Sequence, residues 1–267
     1  MGLKKTDLDQ MKKVAQNAAL EGGKILRNYF GKTKRLNITE KTNAGIVTEA
    51  DLRAEEKIIK ILSKYSQQFG FLAEETGEAK IERSGRWVID PLDGTSNFAH
   101  GFPIFCVSIA AEWEGEVQVG VIYHPLFDEL YCAVKGRGAT LNGRKIKISR
   151  TRSLPKALVT TGFAYQMPRQ MAKEIRVFET ITAKARGVRR PGSAAMDLAY
   201  TASGVFDGFW EMGLQPWDVA AGALIVKEAG GKVTGYDGSR FHIESKSILA
   251  SNSWLHSELL KELKSFS

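Results

Sequence analysis

The feature that most constrains this chain is a succession of short apolar runs between residues 69 and 134, each stopped by Gly, Pro or Asp. The runs at 70–73, 86–89, 106–113, 117–123 and 129–134 are too short for ordinary helices and carry many β-branched and aromatic residues. Closely spaced strands joined by turns predict an antiparallel sheet. Asn142-Gly143, between Ala139-Thr140-Leu141 and the run 145–148, adds a hairpin, because both residues tolerate the positive φ of a two-residue type I′ turn. Two amphipathic helices precede the sheet. One spans about 8–30 with Leu8, Met11, Val14, Ala15, Ala18, Ile25, Leu26 and Tyr29 at helical spacing on one stripe; the other spans about 51–65 with Ile58, Ile59 and Leu62 inward. A polar loop, Lys41-Thr42-Asn43-Ala44-Gly45, and a short strand at 46–48 lie between them.

Past residue 150 the pattern becomes alternation: strand 158–161, helix 166–185, strand 187–190, helix 193–203, strand 206–211, helix 218–229, strand 232–234 and a terminal helix from Trp254. The expectation is a layered α+β protein. An N-terminal α+β subdomain with an antiparallel sheet (1–150) packs on a C-terminal mixed α/β subdomain (151–267) as one compact unit.

Hydrophobic residues make up 43% and charged residues 25% of the chain, which excludes the disordered class. No apolar run approaches the roughly 20 residues of a membrane span, and the N-terminus lacks the apolar stretch of a secretory signal, so a cytoplasmic protein without membrane contact is expected. Cys106 and Cys132 lie in strand-like runs and are expected buried and reduced. The formal net charge of +8 points to an anionic partner, either a phosphorylated metabolite or a nucleic acid. The four histidines are dispersed without zinc-ligand spacing, and Gly230-Gly231 reads as a helix end rather than a phosphate loop.

Four segments put carboxylates beside turn residues: Val47-Thr48-Glu49-Ala50-Asp51, Ala73-Glu74-Glu75-Thr76, Asp90-Pro91-Leu92-Asp93-Gly94-Thr95-Ser96-Asn97 and Pro216-Trp217-Asp218. In the third, the strand Trp87-Val88-Ile89 runs into Asp90, and Pro91 turns the chain so that Asp93 returns beside it. Two such carboxylates suit a hard cation such as magnesium, and backbone N–H groups from Gly94 to Ser96 suit a phosphate. Each segment has a plainer reading as well. Pro-x-Asp-Gly is a turn signal, Thr48 to Asp51 is a capping-box variant, Asp218 is an N-cap, and Glu74-Glu75 is a solvated pair. Their recurrence at strand ends and helix starts favours a shared site.

Read in order, VTEAD, AEET, WVIDPLDGTSNFAHGFP and GLQPWDVAAGALIVKEAGG resemble the signatures of the inositol monophosphatase family. The resemblance extends to GVIYHPLFDELYCAVKGRGATLNG and RRPGSAAMDLAYTASGVFDGFWE, and so to nearly the whole chain. It implies an αβαβα sandwich, a homodimer, and a lithium-sensitive, magnesium-dependent hydrolase of inositol 1-phosphate and related polyol phosphates. It assigns Glu74, Asp90 and the Leu92 carbonyl to one Mg2+, and Asp90, Asp93 and Asp218 to a second. A third ion would lean on Glu74 through water. Asp51 and Thr95 match the pair that orients and deprotonates the attacking water. Asp93, Gly94, Thr95, the Ala194 backbone, Glu211 and Asp218 would meet the substrate, Glu211 having the rival reading of an exposed strand-end charge. Gly45 stands where many relatives carry Asp, Thr76 where Ser is usual, and Lys41 is the candidate for a loop lysine that closes the site.

The same ligands would serve fructose 1,6-bisphosphate, histidinol phosphate or 3′-phosphoadenosine phosphate. A different class of function, contact with RNA or a transcription complex, rests on Arg137, Arg144, Lys145, Lys147, Arg150 and Arg152 around the hairpin and on Arg186, Arg189 and Arg190. These basic residues lack interleaved aromatics.

Overall fold

The computed structural model describes residues 3–32, 38–41, 45–65, 69–79, 85–163 and 168–264. The chain runs α1 (Lys5–Tyr29), β1 (Ile38–Lys41), β2 (Gly45–Thr48), α2 (Glu49–Leu62), β3 (Phe69–Ala73), β4 (Gly77–Ala79), β5 (Gly85–Asp93), α3 (Thr95–Ala99), β6 (Cys106–Trp113), β7 (Glu116–His124), β8 (Glu129–Val134), β9 (Ala139–Leu141) and β10 (Arg144–Lys145). It continues through β11 (Leu158–Thr161), α4 (Pro168–Lys184), β12 (Gly187–Arg189), α5 (Ala194–Ala202), β13 (Gly208–Met212), α6 (Pro216–Glu228), β14 (Lys232–Thr234), β15 (Ser247–Ser251) and α7 (His256–Lys264). The loop expected at 42–44 and the Lys41 side chain lie outside the described residues.

Five layers follow from which faces are apolar. Helix α1 buries Met11, Ala15, Ala18, Ala19 and Leu26, the stripe expected from its 3.6-residue period, and with α2 covers one face of an eight-stranded sheet of order β10-β9-β8-β7-β6-β5-β3-β4. Helices α5 and α6 cover the other face and also pack on a five-stranded sheet of order β12-β11-β13-β15-β14, whose far face carries α4 and α7. Helix α6 is buried continuously from Val219 to Val226, as an element sandwiched between two sheets must be. The result is the αβαβα sandwich. The hairpin at Asn142-Gly143 forms as expected: both residues have positive φ, 48° and 77°, and Leu141 pairs with Arg144.

The eight-stranded sheet differs from the expectation in one place. It is antiparallel from β5 through β10, but β3 runs parallel to β5, with Phe69 to Ala73 paired against Gly85 to Ile89. The short apolar runs contain no signal for this, because β3 and β5 are joined through the edge strand β4 rather than by a tight turn. The parallel register brings both C-terminal ends, and so Glu74 and Asp90, to the same edge. Strand β15, unrecognised in the sequence pattern, is the central antiparallel partner of both β13 and β14.

Helix α6 lies almost directly on β7. A Cβ added at Gly120 would stand 2.7 Å from the Ala221 carbonyl oxygen and 3.0 Å from its Cα, backbone atoms that cannot swing aside. Gly120→Ala is therefore expected to destabilise the protein by about 1–3 kcal/mol. Its urea unfolding midpoint should fall clearly below wild type, and an unchanged midpoint would show that α6 can lift from the sheet without cost.

Candidate active site

The site forms where the C-terminal ends of β3 and β5 meet the N-terminal ends of α2, α5 and α6. Asp90 is buried, and its Oδ1 accepts a hydrogen bond from Leu92 N at 2.9 Å. Strand β5 is bulged between Asp90 and Asp93, which lets both carboxylates turn to one side. Gly94, at φ 94°, then reverses the chain into α3; a Cβ there would lie 2.9 Å from the Ile104 carbonyl, so no other residue fits.

Asp93 is held by the start of α5. Its Oδ2 accepts from Ser193 Oγ at 2.6 Å and Ala195 N at 2.7 Å. Asp218 occupies the third position of α6, where its Oδ2 accepts from Gln215 N at 2.7 Å; it is a capping-box member rather than the N-cap residue. One oxygen each from Asp90, Asp93 and Asp218 comes within 4.8 Å of the others. Glu74 lies outside that trio but beside it, anchored by Glu74 N donating to Ile89 O at 3.2 Å, and its charge is felt by Asp51, Asp90, Asp93 and Asp218.

Burial and mutual repulsion set the electrostatics. Asp90 is pushed well above the ordinary carboxylate value by burial and then by the charges of Glu74, Asp93 and Asp218. Asp218 is raised by burial and then by Asp93. Asp93 is pushed up from 3.8 to about 6, burial outweighing the hydrogen bonds from Ser193 and Ala195. These acceptor-only carboxylate oxygens crowd one negative pocket, a donor set that fits a hard divalent cation and not a soft one.

Asp51 sits on the opposite flank. Buried at the third position of α2, it accepts at Oδ2 from Thr48 N at 2.9 Å and Thr48 Oγ1 at 2.5 Å, the capping box that the sequence suggested. Its Oδ1 accepts from Thr95 Oγ1 at 3.2 Å, and the same hydroxyl lies 3.0 Å from the Leu92 carbonyl. Burial raises Asp51 to about 6. Glu211, on β13, is half-buried and raised by burial and by Asp197, Asp218 and Asp93 in that order, so it faces the acidic group instead of projecting from a strand end. Ala194 is the first residue of α5, buried beside Asp93.

Three supporting residues went unread in the sequence. Glu55, buried one helical turn after Asp51, receives Glu75 N at 3.0 Å and Thr76 N at 2.9 Å, and so holds the turn that carries Glu74. Its spacing of four from Asp51 was the available signal. Ser193 caps α5 and donates to Asp93. Asn97 Nδ2 reaches Ile104 O at 2.7 Å and Pro191 O at 2.8 Å, tying the turn after β5 to the segment before α5.

In the metal-free protein the raised Asp93 pKa has a definite sign. The folded form holds its proton more tightly than the unfolded chain, so this stabilising contribution is complete below 3.8 and lost as pH rises through about 6. Asp93→Asn keeps an acceptor for Ser193 and Ala195 without the charge. Its stability relative to wild type should therefore increase between about pH 4 and pH 7, by on the order of 2 kcal/mol. Urea unfolding in chelator-treated buffer checks this, and a pH-independent difference would contradict it.

The comparisons with known proteins agree with this geometry. The chain matches the inositol monophosphatase family over residues 7–266. It is 44% identical over 260 residues to inositol-1-monophosphatase of Synechocystis sp., covering 97% of this chain and 90% of that one. It is 39% identical over 264 residues to Nus factor SuhB of Pseudomonas aeruginosa, covering 96% and 97% respectively. The crystal structure of extragenic suppressor protein suhB from Bartonella henselae superposes with a TM-score of 0.90 at 42% identity, over 94% of this chain and 97% of that one. With Asp90 and Asp93 buried, Asp218 part-buried beside them and a match in sequence and fold over nearly the whole chain, this chain belongs to the inositol monophosphatase family.

Proposed function

We propose that the protein is a magnesium-dependent phosphomonoester hydrolase that converts inositol 1-phosphate and related polyol phosphates, with water, to the free polyol and phosphate. The observation that carries this reading is the trio of carboxylate oxygens, two buried and one part-buried, within 4.8 Å of one another, beside a separate carboxylate–hydroxyl pair. Asp90, Asp93 and Asp218 would hold one magnesium ion, and Glu74, Asp90 and the Leu92 carbonyl another, with a third leaning on Glu74. When bound, magnesium neutralises charge on the phosphate and acidifies water at the site.

The chain's own groups do the rest. Asp51 Oδ1 draws on the Thr95 hydroxyl proton, which leaves Thr95 Oγ1 as an acceptor that orients the attacking water and passes its proton toward Asp51. Backbone N–H groups at Gly94 and Thr95, in the first turn of α3, lack intrahelical acceptors and face an incoming phosphate. Asp93 and Glu211, with the Ala194 backbone, receive polyol hydroxyls; no hydrogen bond within the described residues occupies the Glu211 carboxylate. Residues 1–150 supply most ligands and 151–267 supply Asp218 and substrate contacts through the Ala194 backbone and Glu211, so the site is shared by the two halves of one compact unit. The reading includes a cytoplasmic homodimer with lithium sensitivity, the first supported by the buried, unlinked Cys106 and Cys132 and the others by the family resemblance. Among the described residues no helix is long and apolar enough to cross a membrane.

The likeness to a protein named Nus factor SuhB favours, as a second reading, an added contact with RNA or a transcription complex. Part of the basic surface is committed within the chain: Arg137 pairs with Asp9 at 2.6 Å, Arg152 lies 5.6 Å over the Trp254 ring and Arg190 5.6 Å over Phe163. RNA binding that falls steeply with salt would support this added role, and no binding at low salt would remove it.

Phosphate release should be fastest from inositol 1-phosphate in a panel with fructose 1,6-bisphosphate, histidinol phosphate and adenosine 3′,5′-bisphosphate, and should vanish with EDTA. Preference for another ester would move the enzyme within its superfamily, and EDTA-resistant turnover would overturn the metal assignment. Asp93→Asn should lower kcat/KM by more than the roughly 10–100-fold typical of losing a supporting group. Glu211→Gln should change the ratio of inositol phosphate to glycerol 2-phosphate turnover; an unchanged ratio would exclude Glu211 from the polyol contact.

A further inference from the structure

A second cleft lies at the other end of α6. It encloses about 210 Å³ between the β6–β7 turn, the C-terminal half of α6 and residues 240–243. Ala220, Ala223 and Leu224 of α6 make a shallow apolar floor and Phe241 one wall. Asp218 and Lys227 are nine residues apart on one helix, about 13 Å, so this cleft is separate from the carboxylate site.

Three cations converge on it: Lys135, Lys227 and Arg240. The two acids that line the cleft are already engaged. Glu116 gives Oε2 to Lys135 and Oε1 to Arg240, the latter at 3.0 Å, while Glu228 accepts from Gly136 N and Gly138 N, both at 2.7 Å. Lys227 has no carboxylate within ion-pair reach among the described residues; its ammonium lies 5.7 Å over the Phe241 ring. The residue remains accessible, but its charged end is drawn into the cleft, and that loss of water, followed by the nearby Arg240 charge, lowers its pKa. An ammonium without an ion-pair carboxylate among the described residues, two clamped cations and an aromatic wall make complementary halves of a recognition site: charge at the mouth, apolar surface behind it.

We propose that this cleft binds a small organic anion that carries an aromatic or apolar group, its acid on Lys227 between Lys135 and Arg240 and its apolar part against Phe241. The inference is independent of the catalytic reading. Phenylphosphonate is a suitable probe, titrated calorimetrically into protein stripped of divalent metal, a state in which the acidic site repels anions.

The expected result is saturable binding of one equivalent. Lys227→Met, which keeps the alkyl stem, should weaken it at least about tenfold, the loss of a charge-assisted contact; Lys227→Arg should retain it, and Asp93→Asn should leave it unchanged. Methylphosphonate, without the ring, should bind more weakly. Lys227→Met should also keep wild-type phosphatase activity, which verifies its fold. Absence of saturable binding, equal binding by Lys227→Met, or loss of binding in Asp93→Asn would each overturn the site, and equal affinity for methylphosphonate would overturn the role of Phe241.

Discussion

Negative charge confined at the end of β5 is the constraint to which the surrounding structure answers. Asp90, Asp93 and Asp218 crowd together with Glu74 beside them, and burial removes the water that would otherwise screen them. The fold answers with a repeated device: each aspartate keeps one oxygen on a donor of the chain. Asp90 Oδ1 takes Leu92 N, Asp93 Oδ2 takes Ser193 and Ala195, Asp218 Oδ2 takes Gln215 N, and on the far flank Asp51 Oδ2 takes Thr48. The second oxygen of Asp90, Asp93 and Asp218 is thereby oriented, and that of Asp51 accepts the Thr95 hydroxyl, so the group is preorganised by the chain itself.

Capping and a place in a shared acidic site were rival readings of Asp51 and Asp218 in the sequence, and the structure shows that one carboxylate can do both. Both stand at the third position of a helix and accept from the cap residue's N–H. A helix start has unpaired N–H groups and a partial positive charge, so it fixes a carboxylate and eases its ionisation in one contact. Asp93 obtains the same benefit from α5 without belonging to it. Three helix N-termini thus converge on the acidic centre, and they offset repulsion that no cationic side chain among the described residues is paired to neutralise within the trio itself.

How far the site was legible follows from the range of each interaction. The hairpin at Asn142-Gly143, the stripe of α1 and the Thr48–Asp51 box are written within a few residues, and local pattern sufficed. Glu74 beside Asp90 depends on a parallel pairing in which Ala73 opposes Ile89, a register no local pattern encodes, and the antiparallel expectation failed there. Glu55 was hidden because a glutamate on a helix is ordinarily solvated, yet here it is 1% exposed and carries two backbone N–H groups of the turn after β3. Strand β15 was missed because its five residues begin and end with serine, and its strand character comes from flanking partners, not from its own run. The family resemblance pointed to the carboxylates that the fold brings together because it compares whole segments, whereas the donors that hold them were visible only once the chain was folded.

Helix α6 shows how one element serves both ends of the molecule. Its apolar, small-residue middle permits contact with β7 closer than any side chain at Gly120 would allow, and Asp218 stands at the start of the helix so seated. The same seating fixes Lys227 at the C-terminal turn, where a cation complements the partial negative charge of the helix end. Acid at the start and base at the finish are what the helix dipole favours, so neither placement opposes the other. A helix whose two ends are each stabilised locally can present the Asp218 carboxylate at its start and, about 13 Å away, the Lys227 ammonium without an ion-pair partner among the described residues, without a conflict between the two placements.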